Sequence, residues 1–383
     1  MLSSKFIMKR RELFVYIAVF LYCTALFFKR TSIPIDQNIL NKIMTISAVI
    51  SLGNVIFDLE MSLKQWLITV MLGGFLFIDS IPTGNHELLY LFILIWSCRN
   101  VDKNKLMRYI YTIIIVLTLF IALFTGIGLI ENERFVQNGV RVRYGLGYNV
   151  WSILPFQFYS ICMYYMYFSK KVVRLDKIIF MSLCSVWIGI VTDTKTSIVI
   201  TIVGLCTMYI VQSKKIINWK QLKILVLLPE VIAACSLFMT LGYINGNVLF
   251  QKLNILMNYR LMYQSIGLEK YGVSIFANGN YRVSAESGNY FGIDNQYMNL
   301  AIAWGISALI IVLIIYSHLI RYCLINKNIK LLIIVIIMVF MGIMWSRMLV
   351  LVEAAYLICF SDLFANANST KQKLKCRREK ISE

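Results

Sequence analysis

Arginines fall in two polar stretches that interrupt long apolar runs: Arg134, Arg141 and Arg143 within residues 131–146 (ENERFVQNGVRVRYGL), and Arg260 within residues 244–293. A guanidinium offers a planar fork of donors that fits two phosphate oxygens at once, so such positions suit an anion, a diphosphate in particular. Arg260 has a second reading, as an anchor whose charged head snorkels to a lipid surface. Asp294, Glu286 and His86 are the candidates for moving a proton. A lone histidine at a helix start, as His86 is, more often has a structural role. Asn278, Asn280, Tyr281, Asn289, Tyr290 and Asn295 concentrate amides and polar-tipped rings, a mixture suited to sugars and equally to a turn-rich loop. Asp193 and Lys195, in VTDTKTSI, form a local ion pair or an anion contact. Glu353, six residues beyond Arg347, is a buried carboxylate that needs a partner or a wet cavity, whereas Glu230 after Pro229 reads as a kink.

The elements that position these residues are membrane helices. Of 383 residues, 59% are hydrophobic and the mean hydropathy is +0.72. That is far too apolar for a water-soluble domain. Continuous rather than alternating apolar runs point to an all-α polytopic integral membrane protein, a single membrane domain over residues 1–383. Spans are expected at about 13–28, 39–57, 65–81, 84–98, 108–130, 147–168, 177–193, 195–212, 222–243, 294–317, 329–345 and 347–363, about twelve in all. Lys9, Arg10 and Arg11 precede the first, which is read as a retained helix because no cleavage site follows.

The net charge of +19 does not indicate nucleic acid, because the basic residues punctuate apolar runs instead of forming one stripe. With both termini in the cytoplasm, 26 of the 38 lysines and arginines fall on the inner side, as the positive-inside rule requires. Two connections outside are long, 131–146 and 244–293, and the basic residues retained there call for an external anion. Residues 248–269 place Leu249, Leu253, Leu256 and Met257 near one face, the pattern of one amphipathic helix lying on the outer surface. None of the nine cysteines falls in an external segment, so disulfides are not expected, and no metal motif is present.

Four motifs, in this order and all external, carry a resemblance to a known family. They are Arg143-Gly145-Gly147-Asn149, the turn TDTKTS, Arg260 followed by YGVSIFANG, and DNQYMNLAIAWGI. In these the chain resembles the Wzy-type polysaccharide repeat-unit polymerases of capsule and O-antigen pathways, within the O-antigen ligase and polymerase group. The chain departs from the family pattern in having Lys195 where arginine is usual and no proline before Asn149.

The resemblance implies a metal-independent, inverting membrane glycosyltransferase in the bacterial plasma membrane, without cofactor, acting on undecaprenyl-diphosphate-linked oligosaccharides in capsular, exopolysaccharide or O-antigen biosynthesis. Arg143, Arg260, Arg141 and Lys195 would hold the diphosphate, and Asp294, Glu286 or His86 would serve as base. Asn149, Tyr281, Asn295 and Tyr297 would contact sugars. Its partners would be the lipid-linked oligosaccharide, membrane lipid and other polysaccharide-export proteins. The rival readings are a lipid-linked oligosaccharide flippase or other transporter, and a ligase-type transferase.

Overall fold

A computed structural model of the protein describes residues 2–56, 61–137, 141–213, 219, 221–279, 281 and 292–365, with 2–11, 137 and 141 described by their backbone alone. The described residues are all-α apart from one short hairpin. The first five helices are α1 (Leu2–Phe28), α2 (Gln37–Ile56), α3 (Leu63–Thr83), α4 (Glu87–Ser97) and α5 (Lys103–Gly126). The hairpin of β1 (Arg134–Gln137) and β2 (Arg141–Tyr144) follows. Next come α6 (Ile153–Phe168), α7 (Leu175–Val191), α8 (Lys195–Ser213), a 3-10 stretch Gln221–Leu227 running into α9 (Leu228–Ile244), α10 (Val248–Leu256) and α11 (Arg260–Tyr271). The chain then continues through α12 (Gln296–Asn299), a π-helical turn Leu300–Trp304, α13 (Gly305–Ile325), α14 (Ile329–Met341) and a 3-10 segment Ala355–Phe364.

Large apolar side chains on α2, α3, α5, α7 and α8 point away from the protein, among them Val49, Val70, Leu119, Trp187 and Val199. In water this would be a prohibitive apolar surface, whereas hydrocarbon solvates it. Among the described residues six segments are long and apolar enough to cross a membrane: Gln37–Ile56, Leu63–Thr83, Lys103–Gly126, Lys195–Ser213, Gln221–Ile244 and Gln296–Ile325. Glu12–Phe28, Glu87–Ser97, Ile329–Met341 and Ala355–Phe364 are apolar but shorter. Only when these four and the 16- and 17-residue helices α6 and α7 are added does the number reach the twelve expected.

Three expectations about elements change. The amphipathic helix expected over 248–269 is two helices, α10 and α11. The chain turns between them because Asn258 and Tyr259 adopt positive φ, 52° and 63°, a region that a continuing helix never visits. Residues 131–146, expected only as a long connection, contain a hairpin in register Arg134↔Tyr144 and Phe135↔Arg143. The expected helix 329–345 is present as α14 but ends at Met341, and in place of the helix expected over 347–363 stand an irregular run 342–354 and the 3-10 segment.

Irregular backbone at membrane depth is tolerable only where protein or a wet cavity satisfies its polar groups. The run 342–354 meets that condition. Gln296 N–H donates to Gly342 O (2.6 Å), Met348 N–H to Gln296 Oε1 (3.1 Å), and Tyr316 Oη to Met348 O (3.0 Å). The 3-10 segment behind it is almost wholly buried against α4, α5 and α13. Its start is held by Tyr356 N–H, which donates to Tyr164 Oη (3.0 Å).

A second break lies between the π turn and α13, at Gly305, whose φ is 84°. A Cβ there would stand 2.5 Å from the carbonyl carbon of Phe276, so glycine is needed both for its conformation and for its lack of a side chain. The groups freed there pair with the loop ahead of it: Ile306 N–H donates to Ser274 O, Ser307 N–H to Ile275 O, and Asn278 N–H to Ala303 O. Buried Asp79 of α3 completes this junction by accepting from Ser307 Oγ (2.9 Å) and Ala277 N–H (3.2 Å).

Candidate functional site

The two breaks and the end of α1 enclose a cleft of about 500 Å³, within the range of small-molecule sites. Among the described residues its cations are Lys29 and Arg30, directly after α1, and Arg347 of the irregular run. Amides line it from four places: Asn85 before α4, Asn149, Asn278 and Asn299. Thr83, Tyr281, Trp304, Ser346 and the carboxylate Glu87 add to its polar and aromatic wall. A narrower annex of about 110 Å³ shares Glu87, Asn299, Trp304 and Arg347 and continues between Tyr22, Leu88, Leu91 and Leu300.

The cations are placed by the way α1 ends. The C-terminus of a helix carries negative partial charge, which favours Lys29 and Arg30 there. The two residues that follow α1 are held from a distant part of the chain: Asn149 Nδ2 donates to Lys29 O (3.2 Å) and Asn149 N–H to Arg30 O (3.1 Å). Ser32 N–H donates to Gly147 O (3.0 Å), and Thr31 forms a bridge with Tyr148. Gly147 is required for this docking. Its φ is 85°, and a Cβ would fall 2.2 Å from Thr125 Oγ1, so no other residue fits. The Gly-x-Gly-x-Asn string thus serves to hold the end of α1 in place.

Each cation after α1 meets a carboxylate from a different element. Lys29 Nζ pairs with Glu87 Oε1 (2.5 Å) and Asn41 Oδ1 (3.1 Å). Arg30 Nη1 pairs with Glu353 Oε1 (2.7 Å). The two pairs differ in burial: the Glu87 side chain is 35% exposed and that of Glu353 is 0%. A buried pair of this kind is strongly destabilising to break, while a half-exposed one is worth little. Glu353 is therefore half of a structural pair with a cleft-lining arginine, resolving the two readings the sequence leaves open.

Of the residues singled out in the sequence, Asn149, Asn278 and Tyr281 line the cleft. Arg143 and Arg260, expected to hold an anion, do not. Arg143, 9% exposed, stacks over Trp151 at 4.6 Å and approaches Asp193 at 3.6 Å, so Asp193 pairs across the fold and not with Lys195. Lys195 is exposed at the start of α8. Arg260 Nε donates to Asp294 Oδ2 (2.9 Å), which binds the expected base to an expected anion ligand. Asn295 caps α12 by accepting from the N–H groups of Tyr297 and Met298, and Tyr297 Oη donates to Val339 O (2.7 Å). Both are buried and structural. His86 stands at the N-cap of α4 with its ring 5.8 Å from Tyr90, while Asn85 and Glu87 on either side face the cleft. Arg141 pairs through its backbone with Gln137. Its side chain, and the whole of Glu286, Asn280, Asn289 and Tyr290, lie outside the described residues.

Reading by segment does not select Lys29, Arg30, Arg347 or Glu87. A signal for three of them is nonetheless present, since in the topology expected from the sequence Lys29, Arg30 and Arg347 are also basic residues on the side that the positive-inside rule disfavours. Chemically, the arrangement gathers donors for a multiply charged anion beside amides and rings suited to sugar hydroxyls, with one partly exposed carboxylate, Glu87, among the described residues of the same cleft. No family model matches the chain, and no curated protein matches it.

Proposed function

We propose that the protein is a membrane glycosyltransferase that polymerises undecaprenyl-diphosphate-linked oligosaccharide repeat units at the outer face of the bacterial plasma membrane, in capsular, exopolysaccharide or O-antigen biosynthesis. The observation that carries this reading is the convergence of Lys29, Arg30 and Arg347 on one amide-lined cleft in an apolar helix bundle. An activated sugar carried on lipid reaches such a cleft through the bilayer plane, which accords with the absence of a nucleotide-binding motif from the sequence. In this reading the chain crosses the membrane twelve times with both termini inside. Every cleft-lining segment then belongs to the side poor in lysine and arginine.

The reaction needs positive donors where charge develops on the leaving group. Arg30, Arg347 and Lys29 hold the diphosphate of the growing chain. A hydroxyl of the incoming repeat gives its proton to Glu87 and attacks the anomeric carbon. The new glycosidic C–O bond forms as the bond from that carbon to the diphosphate oxygen breaks, and undecaprenyl diphosphate leaves with the electron pair. Asn85, Asn149, Asn278 and Tyr281 orient the sugars. Purified protein given only its lipid-linked repeat is expected to yield a ladder of longer lipid-linked products.

One observation favours a second reading. Interrupted helices such as Leu300–Gly305 and the run 342–354 are also how transporters build substrate sites. A lipid-linked oligosaccharide transporter would carry the repeat across a bilayer without lengthening it, so the same preparation distinguishes the two.

A further inference from the structure

The two ion pairs at the end of α1 respond differently to an anion entering the cleft. Glu353 has no exposed side-chain surface, so Arg30 is fixed to it whether or not the cleft is occupied. Glu87 and Lys29 are 35% and 26% exposed and both line the cleft, so an incoming anion reaches Lys29 without dismantling the protein. Lys29 keeps a second anchor in Asn41 Oδ1, which holds its ammonium near the cleft when Glu87 lets go. A lysine ammonium is a point charge with three rotatable donors and exchanges partners with little geometric demand.

The geometry points to Glu87 as a carboxylate that a bound diphosphate displaces from Lys29, so that donor binding releases the base needed by the acceptor hydroxyl. This inference rests on the cleft being the diphosphate site. Before donor binds, Lys29 holds Glu87 Oε1, and that oxygen is closed to the acceptor. Once diphosphate oxygens take over the ammonium, that oxygen faces the acceptor, and transfer follows donor binding in a fixed order.

The test uses the full chain in detergent with inorganic pyrophosphate as probe and calorimetry as readout, alongside lengthening of a lipid-linked repeat. Glu87→Gln removes the competing charge, and pyrophosphate is expected to bind about fivefold tighter, the scale of a partly exposed ion pair. Lengthening by the same variant is expected to fall by about a hundredfold or more, because the base is gone. Glu87→Ala should move both quantities in the same directions, and each variant is compared at an unchanged thermal midpoint. In a Lys29→Gln background the gain from Glu87→Gln should vanish, since Glu87 competes only by holding Lys29.

Unchanged or weaker pyrophosphate binding in Glu87→Gln overturns the proposal. So does an equal gain in the Lys29→Gln background, which would mean simple charge repulsion. Wild-type protein that binds pyrophosphate but lengthens nothing would defeat the polymerase reading and leave the exchange to be judged on binding. Wild-type protein that binds no pyrophosphate would defeat the cleft as a diphosphate site, and the exchange with it.

Discussion

Arg30 and Arg260 each pair with a carboxylate, at 2.7 and 2.9 Å, yet their environments predict opposite mutational behaviour. Glu353→Ala leaves Arg30 without its buried counter-charge and should lower unfolding free energy by about 3–5 kcal/mol. Arg260→Ala breaks a pair whose Asp294 partner is 52% exposed, so screening by solvent limits the loss to less than about 1 kcal/mol. Thermal unfolding in detergent separates the two. Pyrophosphate binding should survive in Arg260→Ala at wild-type strength, because Arg260 is not among the residues lining the cleft. A clear loss of binding there would return Arg260 to the site.

At the scale of elements, the cleft exists because helices stop where their hydrogen bonds can be taken up by another segment. Gly305→Ala puts a Cβ 2.5 Å from the Phe276 backbone at a φ of 84°. Overpacking and strain there should destabilise the protein by about 1–3 kcal/mol, read as a lowered thermal midpoint. An unchanged midpoint would show that the junction of Ser274–Asn278 with Ala303–Ser307 is not rigid. This level of organisation was only partly legible in the sequence. The starts and ends of α2, α7 and α8 follow from apolar runs bounded by polar residues. The hairpin has its signal in Asn138-Gly139 followed by alternating Val and Arg, a short pattern that a polar connection between two apolar runs readily hides.

The breaks were not legible, because 294–317 is strongly apolar and the charges in 347–363, Arg347, Glu353 and Asp362, do not by themselves stop a helix. Only tertiary partners such as Gln296 and Tyr316 make irregular backbone admissible there. For the same reason the candidate site was legible only as an expectation of an anion among basic residues; which of them line the cleft depended on the arginines the fold engages elsewhere, as it does Arg143 with Trp151 and Asp193.

At the scale of the whole molecule, the proposed topology puts every wall of the cleft on the outer side of the membrane. In a cysteine-free background, a cysteine at Ser346 or Asn278 should be labelled by an impermeant maleimide added to intact cells, and one at Asn104, at the start of α5, should not. Reversed labelling would invert the topology and put the cleft in the cytoplasm. The central claim, that Lys29, Arg30 and Arg347 hold the leaving diphosphate, is tested most directly by the lengthening of a purified lipid-linked repeat by Arg347→Gln. Arg347 is the cation of choice because it is only partly buried and sits outside any regular helix. Loss of one donor to developing charge predicts a fall in turnover of about a hundredfold or more, in protein that retains its wild-type thermal midpoint. Wild-type turnover by folded Arg347→Gln would contradict the account.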